Sequence, residues 1–210
     1  MFTNRQQAAQ LLAEKIKQKH INLKNTVIVS LPKGGVVVGG GIAALLNLPH
    51  KVIISKKITQ PGAPELAIGA LSLSKKSLFL NEQLIKELSI SQKQIEEAMA
   101  VAKEKVEKQK SSFNEATKIN FSQKTVILTD DGAATGATLI AAIKHILHQK
   151  PKKIIVALPV APPETVKKLK NLVNQVIVLQ QPELFFSVSQ FYHSFPQISL
   201  KEAKAILKIS

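Results

Sequence analysis

Short apolar runs alternate along this chain with longer segments in which apolar residues recur at helical spacing. The runs are rich in β-branched residues and bounded by polar ones, which is typical of buried strands. Strands are predicted over residues 26–31, 51–55, 125–130, 153–160 and 175–179. Helices are predicted over residues 3–20, 36–46, 138–149, 164–172 and 200–208. Strands that alternate with helices form parallel sheets, so the pattern predicts an α/β fold around a parallel central sheet.

The alternation is interrupted after the second predicted strand. Residues 58–65 contain Pro61, Gly62 and Pro64, and this composition predicts a loop. A strand-like apolar pattern resumes over residues 66–73.

Residues 81–118 differ in composition from the rest of the chain, because Glu, Lys and Gln dominate there. The spacing of the remaining apolar residues predicts a helix near 81–88 and a long helix near 91–117. One interpretation of this helical insertion is a lid, a hood or a dimer arm. The other is a solvated helix that packs on the sheet.

Length and composition limit the class of protein. With 210 residues, of which 45% are hydrophobic, the chain is expected to form a single domain over residues 1–210. The lack of cysteine excludes disulfides and thiolate chemistry. The first residues lead into a polar helical pattern rather than a signal peptide, and no apolar run reaches the ~18 residues that span a membrane. We therefore expect a cytoplasmic protein without a membrane partner.

The formal net charge of +15 raises nucleic-acid binding as a rival interpretation. Two features count against it. Arg5 is the only arginine, although arginine is the preferred reader of bases, and the lysines are scattered rather than gathered in one block. Only Tyr192 and eight phenylalanines are available for stacking on bases. Nucleic acid is therefore not the favoured partner, and the positive field also suits a substrate with several phosphates.

The candidate chemistry centres on residues 126–138, with the sequence VILTDDGAATGAT. The predicted strand ends in Asp130 and Asp131, the only aspartates in the chain, and small residues then lead into a helix. Glycines let backbone approach a ligand closely, and the unpaired N–H groups of a helix start bind anions. Two carboxylates would repel a phosphate, so they suit neighbouring hydroxyl groups or a divalent cation. The alternative is that Asp131 only caps the helix.

A second loop of similar type follows the first predicted strand. The sequence PKGG at residues 32–35 lies between that strand and a helix, and Lys33 is its only charge. This arrangement is typical of an anion-binding turn. Ligands of parallel sheets sit beyond the carboxyl ends of the strands, and both turns follow strand ends. We therefore expect the two turns to converge on one crevice.

The turn at residues 126–138 resembles the signature with which type I phosphoribosyltransferases bind 5-phosphoribosyl 1-pyrophosphate (PRPP). The chain as a whole is similar to bacterial predicted phosphoribosyltransferases of unknown acceptor. The motifs that carry this likeness are LPKGGV at 31–36, KK at 56–57, APELAIGA at 63–70, DDG at 130–132 and PVAPPET at 159–165. Lys33 and Lys56 depart from the family pattern, because they replace arginine and so keep the charge but lose its planar fork.

The resemblance implies a three-layer phosphoribosyltransferase-like fold with a helical hood, and it implies a role for each motif. Asp130 and Asp131 would be catalytic through the ribose hydroxyls and would hold Mg²⁺ directly or indirectly, and Lys57 would also be catalytic. The 5′-phosphate would be bound by Gly132, Ala133, Ala134, Thr135, Gly136, Ala137 and Thr138. The pyrophosphate would be bound by Pro32, Lys33, Gly34, Gly35 and Lys56, with a cis bond between Pro32 and Lys33. Residues 56–65, which include Pro64 and Glu65, would form a mobile flap.

The implied function is transfer of a phosphoribosyl group from PRPP to a nitrogenous base, by a homo-oligomer that uses Mg²⁺. One alternative is a PRPP- or nucleotide-sensing regulator on the same fold that binds nucleic acid. Another is a hydrolase or phosphorylase that acts on a related sugar phosphate. The aromatic residues between Phe185 and Phe195 would stack on a flat acceptor or form a hydrophobic plug under the C-terminal helix.

Overall fold

A computed structural model of the chain describes residues 1–209, except for the side chains of Glu65, Lys75 and Ile209. The helices in this range are α1 (Arg5–Gln18), α2 (Gly34–Leu46), α3 (Glu82–Glu87), α4 (Gln92–Phe113), α5 (Ala137–Leu147), α6 (Pro163–Lys170) and α7 (Leu200–Ile209). The strands are β1 (Thr26–Ser30), β2 (His50–Val52), β3 (Lys56–Gln60), β4 (Ala63–Leu71), β5 (Phe79–Leu80), β6 (Thr125–Thr129), β7 (Lys153–Val160) and β8 (Gln175–Gln180).

The central sheet has the strand order β2-β1-β6-β7-β8, and every neighbouring pair is parallel. This confirms the predicted parallel α/β fold. The register places Thr125 of β6 opposite Thr26 of β1 and opposite Lys153 of β7. The three middle strands therefore begin level with one another, and their carboxyl ends open onto the same edge of the sheet.

Alternate residues of the strands face two helical layers, because successive side chains of a strand point to opposite faces. Ile28 and Ile127 pack with α1 and α2 on one face. Val29 and Leu128 pack with α5 and α6 on the other. The strands are buried on both faces, which explains why their sequences are continuously apolar. The fold is therefore three-layered, as predicted.

A second, antiparallel sheet of order β3-β4-β5 corrects the loop expected at residues 58–65. The turn of this hairpin is short: Gln60 pairs with Ala63, and Gly62 lies between them with a φ of 81°. Ile58 lies in the arm of the hairpin with its side chain buried. The pairing is irregular beside the turn: Gln60 pairs with Ala63 but Thr59 pairs with Ala67, so residues 64–66 form a bulge in β4. The prolines and the glycine led to the expectation of a loop, but they occupy only the turn and this bulge.

The helical insertion forms α3 and α4, which confirms the two helices expected from the sequence. The buried stripe of α4 includes Ile95 and Ala102, and it packs against Ile58 and Ile68 of the hairpin. The first half of the long helix therefore covers the small antiparallel sheet, whereas Val106 and Phe113 pack in a cluster with Val52 of the central sheet. It ends at Phe113, earlier than expected, because Asn114 leaves the helical conformation with a φ of 34°.

The aromatic residues near the C-terminus form a plug, but not under the C-terminal helix as one interpretation had it. Tyr192 stacks on Phe2 and on Phe195, with ring centroids 5.3 Å and 4.9 Å apart. This cluster also contains Val160 at the end of β7. The helix α7 instead packs through Ala203 in a separate cluster with α2 and α4. In residues 1–209, none of the helices combines the length and the apolar character needed to cross a membrane.

We expect Leu128→Ala to lower the free energy of unfolding by about 2–5 kcal/mol. Leu128 lies in the central strand with its side chain fully buried, so its truncation leaves a cavity in the core. Urea unfolding followed by circular dichroism measures this loss. Leu147→Ala is the matched control, since Leu147 is 46% exposed and its truncation should cost less than about 0.5 kcal/mol. Equal losses in the two variants would contradict the assignment of β6 to the core.

Candidate active site

The direction in which successive strands are added to the central sheet reverses between β1 and β6. The chain runs from β1 outward to β2 on one side and from β6 through β7 to β8 on the other. Ligands of open parallel sheets bind at such a switch point, in the crevice beyond the carboxyl ends of the two central strands. Here the loop at residues 32–35 follows β1 and the turn at residues 130–136 follows β6. The two motifs that carry the candidate chemistry therefore meet at the switch point.

The glycine loop touches the acidic pair directly. A Cβ atom on Gly35 would lie 2.6 Å from Asp130 Oδ1, and one on Gly34 would collide with Asp131 Oδ2. Glycine is thus required at both positions for the backbone to come this close to the carboxylates. The peptide bond between Pro32 and Lys33 is cis, as the family resemblance implied.

Asp131 is held by Arg5, a residue that the sequence analysis did not connect to the site. Arg5 Nε donates a hydrogen bond to Asp131 Oδ2 at 2.8 Å, and only 6% of the arginine side chain is exposed. The hydroxyl of Tyr192 donates to the carbonyl oxygen of Asp131 at 2.6 Å. Both ends of the chain thus contribute to the surroundings of the acidic pair.

The two carboxyl groups differ in the neighbouring charges that offset the cost of burying them. Burial raises the pKa of Asp130 well above its usual range, and the charge of Asp131 raises it further. Burial also raises the pKa of Asp131, but the guanidinium of Arg5 opposes this rise. The pair is joined by a hydrogen bond of 2.9 Å from the backbone N–H of Asp131 to Asp130 Oδ1. Asp131 is therefore the carboxyl group that the structure favours in its charged form.

The turn after Asp131 presents backbone to the crevice. Gly136 has a φ of 72° and precedes α5, whose first N–H groups lack helical partners and so favour an anion. Ala134 and Thr135 are exposed, whereas the N–H of Ala133 is already bonded to the carbonyl oxygen of Val160 at 3.0 Å. The free edge of the turn is therefore its second half.

Thr165 at the start of α6 anchors this turn, although the sequence analysis assigned it no separate role. Its side chain is fully buried, and its hydroxyl donates to the carbonyl oxygen of Ala134. Its methyl group lies 3.0 Å from the position of a Cβ atom on Gly136. The motif PVAPPET thus supports the turn from the neighbouring strand end.

Three lysines share an electrostatic environment near the glycine loop. Burial lowers the pKa of Lys56, and the charges of Lys105 and Lys33 lower it further. Lys105 belongs to α4, so the helical insertion adds a cation that the sequence did not single out. Lys33 itself is exposed.

Lys57 lies on the other side of the hairpin from Lys56, since neighbours on a strand face opposite ways. It lines a groove of about 350 Å³ between the hairpin and α4, together with Pro64 and Lys105. The structure therefore does not bring Lys57 to the acidic pair. The side chain of Glu65 lies outside the described part of the chain.

The metal-binding capacity of the site rests on Asp130 and Asp131. Within residues 1–209, no three His, Cys, Asp or Glu side chains gather as a metal site. Two carboxylates nevertheless fit Mg²⁺, because proteins commonly bind this ion through one or two carboxylates, with water and substrate phosphates as the other ligands.

A model of the phosphoribosyl transferase domain matches residues 2–195. The chain belongs to the phosphoribosyl transferase family. It is similar to a Mycobacterium tuberculosis protein named as a proposed phosphoribosyl transferase, with 29% identity over 208 residues. That stretch is 99% of this chain but 46% of the relative, so the chain spans about half the length of the curated relatives it matches.

Solved structures show the same fold. The TT1426 protein of Thermus thermophilus has a TM-score of 0.79 and 31% identity, over 99% of this chain and 97% of that one. A purine phosphoribosyltransferase from Pyrococcus horikoshii has a TM-score of 0.50 and 18% identity, over 93% and 92% of the chains, which shows the shared fold alone. The central sheet and its two helical layers are therefore the type I phosphoribosyltransferase fold.

The site contains three residues that pattern analysis missed. Thr165 and Tyr192 lie in quoted or noted segments, but nothing in their spacing shows that they reach residues 131–134. Arg5 carried a usable signal, because it is the only arginine in a chain whose other basic residues are lysines. Such an exception indicates a need for the planar guanidinium.

We expect Gly136→Ala to destabilise the protein by more than the ~1–2 kcal/mol that a left-handed conformation costs an alanine, because the added methyl also meets Thr165. Gly62→Ala is the matched control, since Gly62 has a φ of 81° and nothing lies within 4 Å of the place that its Cβ would take. Urea unfolding of both variants separates crowding from backbone strain. A loss for Gly136→Ala no larger than that for Gly62→Ala would show that Thr165 does not constrain the turn.

Proposed function

We propose that the protein transfers a 5-phosphoribosyl group from PRPP to a nitrogenous base and releases pyrophosphate. The observation that carries this proposal is the position of Asp130 and Asp131 at the switch point of the sheet, in contact with a glycine loop on one side and followed by an anion-binding turn on the other. A pentose with phosphate groups at both ends needs this order: anion site, hydroxyl acceptors, anion site.

The acidic pair would hold the ribose. Carboxylate oxygens accept hydrogen bonds from the 2′- and 3′-hydroxyls, and they do so best when charged. The turn at residues 132–138 would bind the 5′-phosphate through backbone N–H groups and through Thr135 and Thr138. Because the N–H of Ala133 is taken by Val160, we assign most of this binding to the second half of the turn.

The glycine loop would bind the pyrophosphate together with Lys33 and Lys56. Breaking the bond between C1′ and the pyrophosphate oxygen leaves the electron pair on pyrophosphate, and the acceptor nitrogen forms the new bond to C1′ and loses its proton. Cations aimed at the leaving group lower the energy of the charge that develops there. Bound Mg²⁺, held by Asp130 and Asp131, would neutralise part of the same charge.

The hairpin of β3 and β4 would act as the flap over the leaving group. It carries Lys56 at its base, and it belongs to a sheet and a hydrophobic cluster separate from those of the central sheet. Closure of such an element excludes water, which would otherwise hydrolyse PRPP. We propose that the catalytic role expected for Lys57 depends on this closure, because Lys57 faces the groove beside α4.

For the acceptor we propose a planar ring. A cleft of about 450 Å³ adjoins the phosphate turn and is lined by Thr135, Pro162, Glu183 and Phe185. The neighbouring Phe186 is 86% exposed, which is unusual for a large apolar side chain. Exposed aromatic faces suit stacking on a flat base.

A regulator that binds nucleic acid is the second candidate. The net charge of +15 favours it, as does the gathering of Lys33, Lys56 and Lys105 beside the crevice. Such a regulator would bind RNA or DNA with a log affinity that falls linearly with log salt, and it would release no pyrophosphate with any acceptor.

We expect Asp131→Asn to lower kcat/KM for PRPP by about 10- to 100-fold, because a charged hydrogen-bond acceptor is lost from the ribose site. The measurement is pyrophosphate release from PRPP and Mg²⁺ with a panel of purine, pyrimidine and nicotinate-type bases. Glu115→Gln is the control, since Glu115 forms an exposed ion pair with Lys118 away from the crevice. Unchanged activity of Asp131→Asn would refute the assignment of the ribose site.

Neighbouring lysines offer a second comparison. Lys56→Ala should raise KM for PRPP by about 10-fold or more through loss of a charge-assisted contact, whereas Lys57→Ala should change KM less because its side chain faces the groove. Steady-state kinetics of the two variants provide the measurement. A larger effect of Lys57→Ala on KM would show that Lys57, and not Lys56, reaches the pyrophosphate.

A further inference from the structure

We propose that Arg5 is a positioning residue for the acidic pair: its guanidinium, fixed by Phe195 and Pro196, holds the carboxylate of Asp131 in the orientation that suits the ribose of PRPP. This inference deepens the proposed function and rests on it. It assigns a role in the site to a residue of the first helix, far from every motif that defines the site in the sequence.

Arg5 makes three different contacts at once. Its Nε donates to Asp131 Oδ2 at 2.8 Å, and its Nη1 donates to the carbonyl oxygen of Pro196 at 2.8 Å. Its guanidinium carbon lies 3.6 Å from the centre of the Phe195 ring, a cation–π geometry. Each contact uses a different part of the planar group, so the side chain has little freedom to move.

The guanidinium also lies against the glycine loop. A Cβ atom on Gly34 would be 3.1 Å from Arg5 Nε. Arg5 therefore stands where the ribose-binding carboxylates and the pyrophosphate-binding loop meet. Displacing it would disturb both halves of the proposed PRPP site.

The composition of the chain supports a specific need for arginine here. Of 29 basic residues, Arg5 is the only arginine. Lysine stands at the two basic positions near the glycine loop, 33 and 56. A lysine ammonium is a point charge and cannot bond a carboxylate, bond a carbonyl oxygen and stack on a ring in one fixed plane.

The charged and titratable groups around Asp131 explain what Arg5 does. Asp130 lies beside it as a second carboxyl group, and Tyr192 donates to its backbone carbonyl. Burial, followed by the charge of Asp131, raises the pKa of the Tyr192 hydroxyl, so that this group stays a neutral donor. Arg5 is thus the cation in contact with Asp131, and its planar fork fixes the direction in which the carboxylate points.

The test compares substrate-free crystal structures of the wild-type protein and of variants. In Arg5→Gln, we expect the Asp131 carboxyl group to leave the orientation that it has in the wild-type protein, because the hydrogen bond from Arg5 Nε is lost. Lys118→Gln, which breaks the exposed ion pair with Glu115, should leave that orientation unchanged.

A kinetic arm reports on orientation. Arg5→Lys keeps the charge but not the fork, so KM for PRPP should rise by at least about fivefold while kcat changes less. Circular dichroism establishes that each variant is folded. If Arg5→Gln fails to fold, Arg5→Lys decides the question through KM.

The outcomes separate this inference from the proposed function. Wild-type protein that releases no pyrophosphate with any base would refute the transferase, and the substrate-free structures of the variants would then test the role of Arg5 by themselves. A folded Arg5→Gln in which Asp131 keeps its wild-type orientation would overturn the inference even in an active enzyme. An Arg5→Lys variant with wild-type KM would show that charge suffices and that the fork does not position Asp131.

Discussion

The site depends on close contact between the backbone at Gly34 and Gly35 and the carboxyl groups of Asp130 and Asp131. Two carboxyl groups are partly removed from water at the point where strand order reverses, and burial alone raises their pKa. Such a pair persists only where its surroundings compensate it. Here the compensating groups come from the first helix and from residues 192–196, which lie outside the central sheet.

Compensation comes from the two ends of the chain. Arg5 approaches from the first helix, while Phe195 and Pro196 fix its guanidinium from the C-terminal segment. Phe2 and Tyr192 pack beneath, and the Tyr192 hydroxyl reaches the backbone of Asp131. The aromatic cluster therefore fixes the residues that surround the acidic pair.

The hairpin and α4 form a unit with different properties. They share their own hydrophobic cluster around Ile58 and Ile95, and they bring Lys56 and Lys105 toward the glycine loop. The acidic pair therefore follows a strand of the central sheet, whereas Lys56 and Lys105 lie on a separate layer. This division suits the reaction that we propose, in which the ribose is held and the leaving group is enclosed.

The sequence by itself determined the central sheet, the turns at residues 32–35 and 130–136, and the presence of the long helices. These features arise from local periodicity and turn chemistry, which neighbouring residues carry. It failed at residues 58–65, where Pro61 and Gly62 belong to a hairpin tip. Only the tertiary structure placed Arg5 on Asp131, because that contact spans 126 positions and is set by how the first helix packs. It also decided which face of the hairpin Lys57 occupies, since pairing register and not residue type directs a side chain.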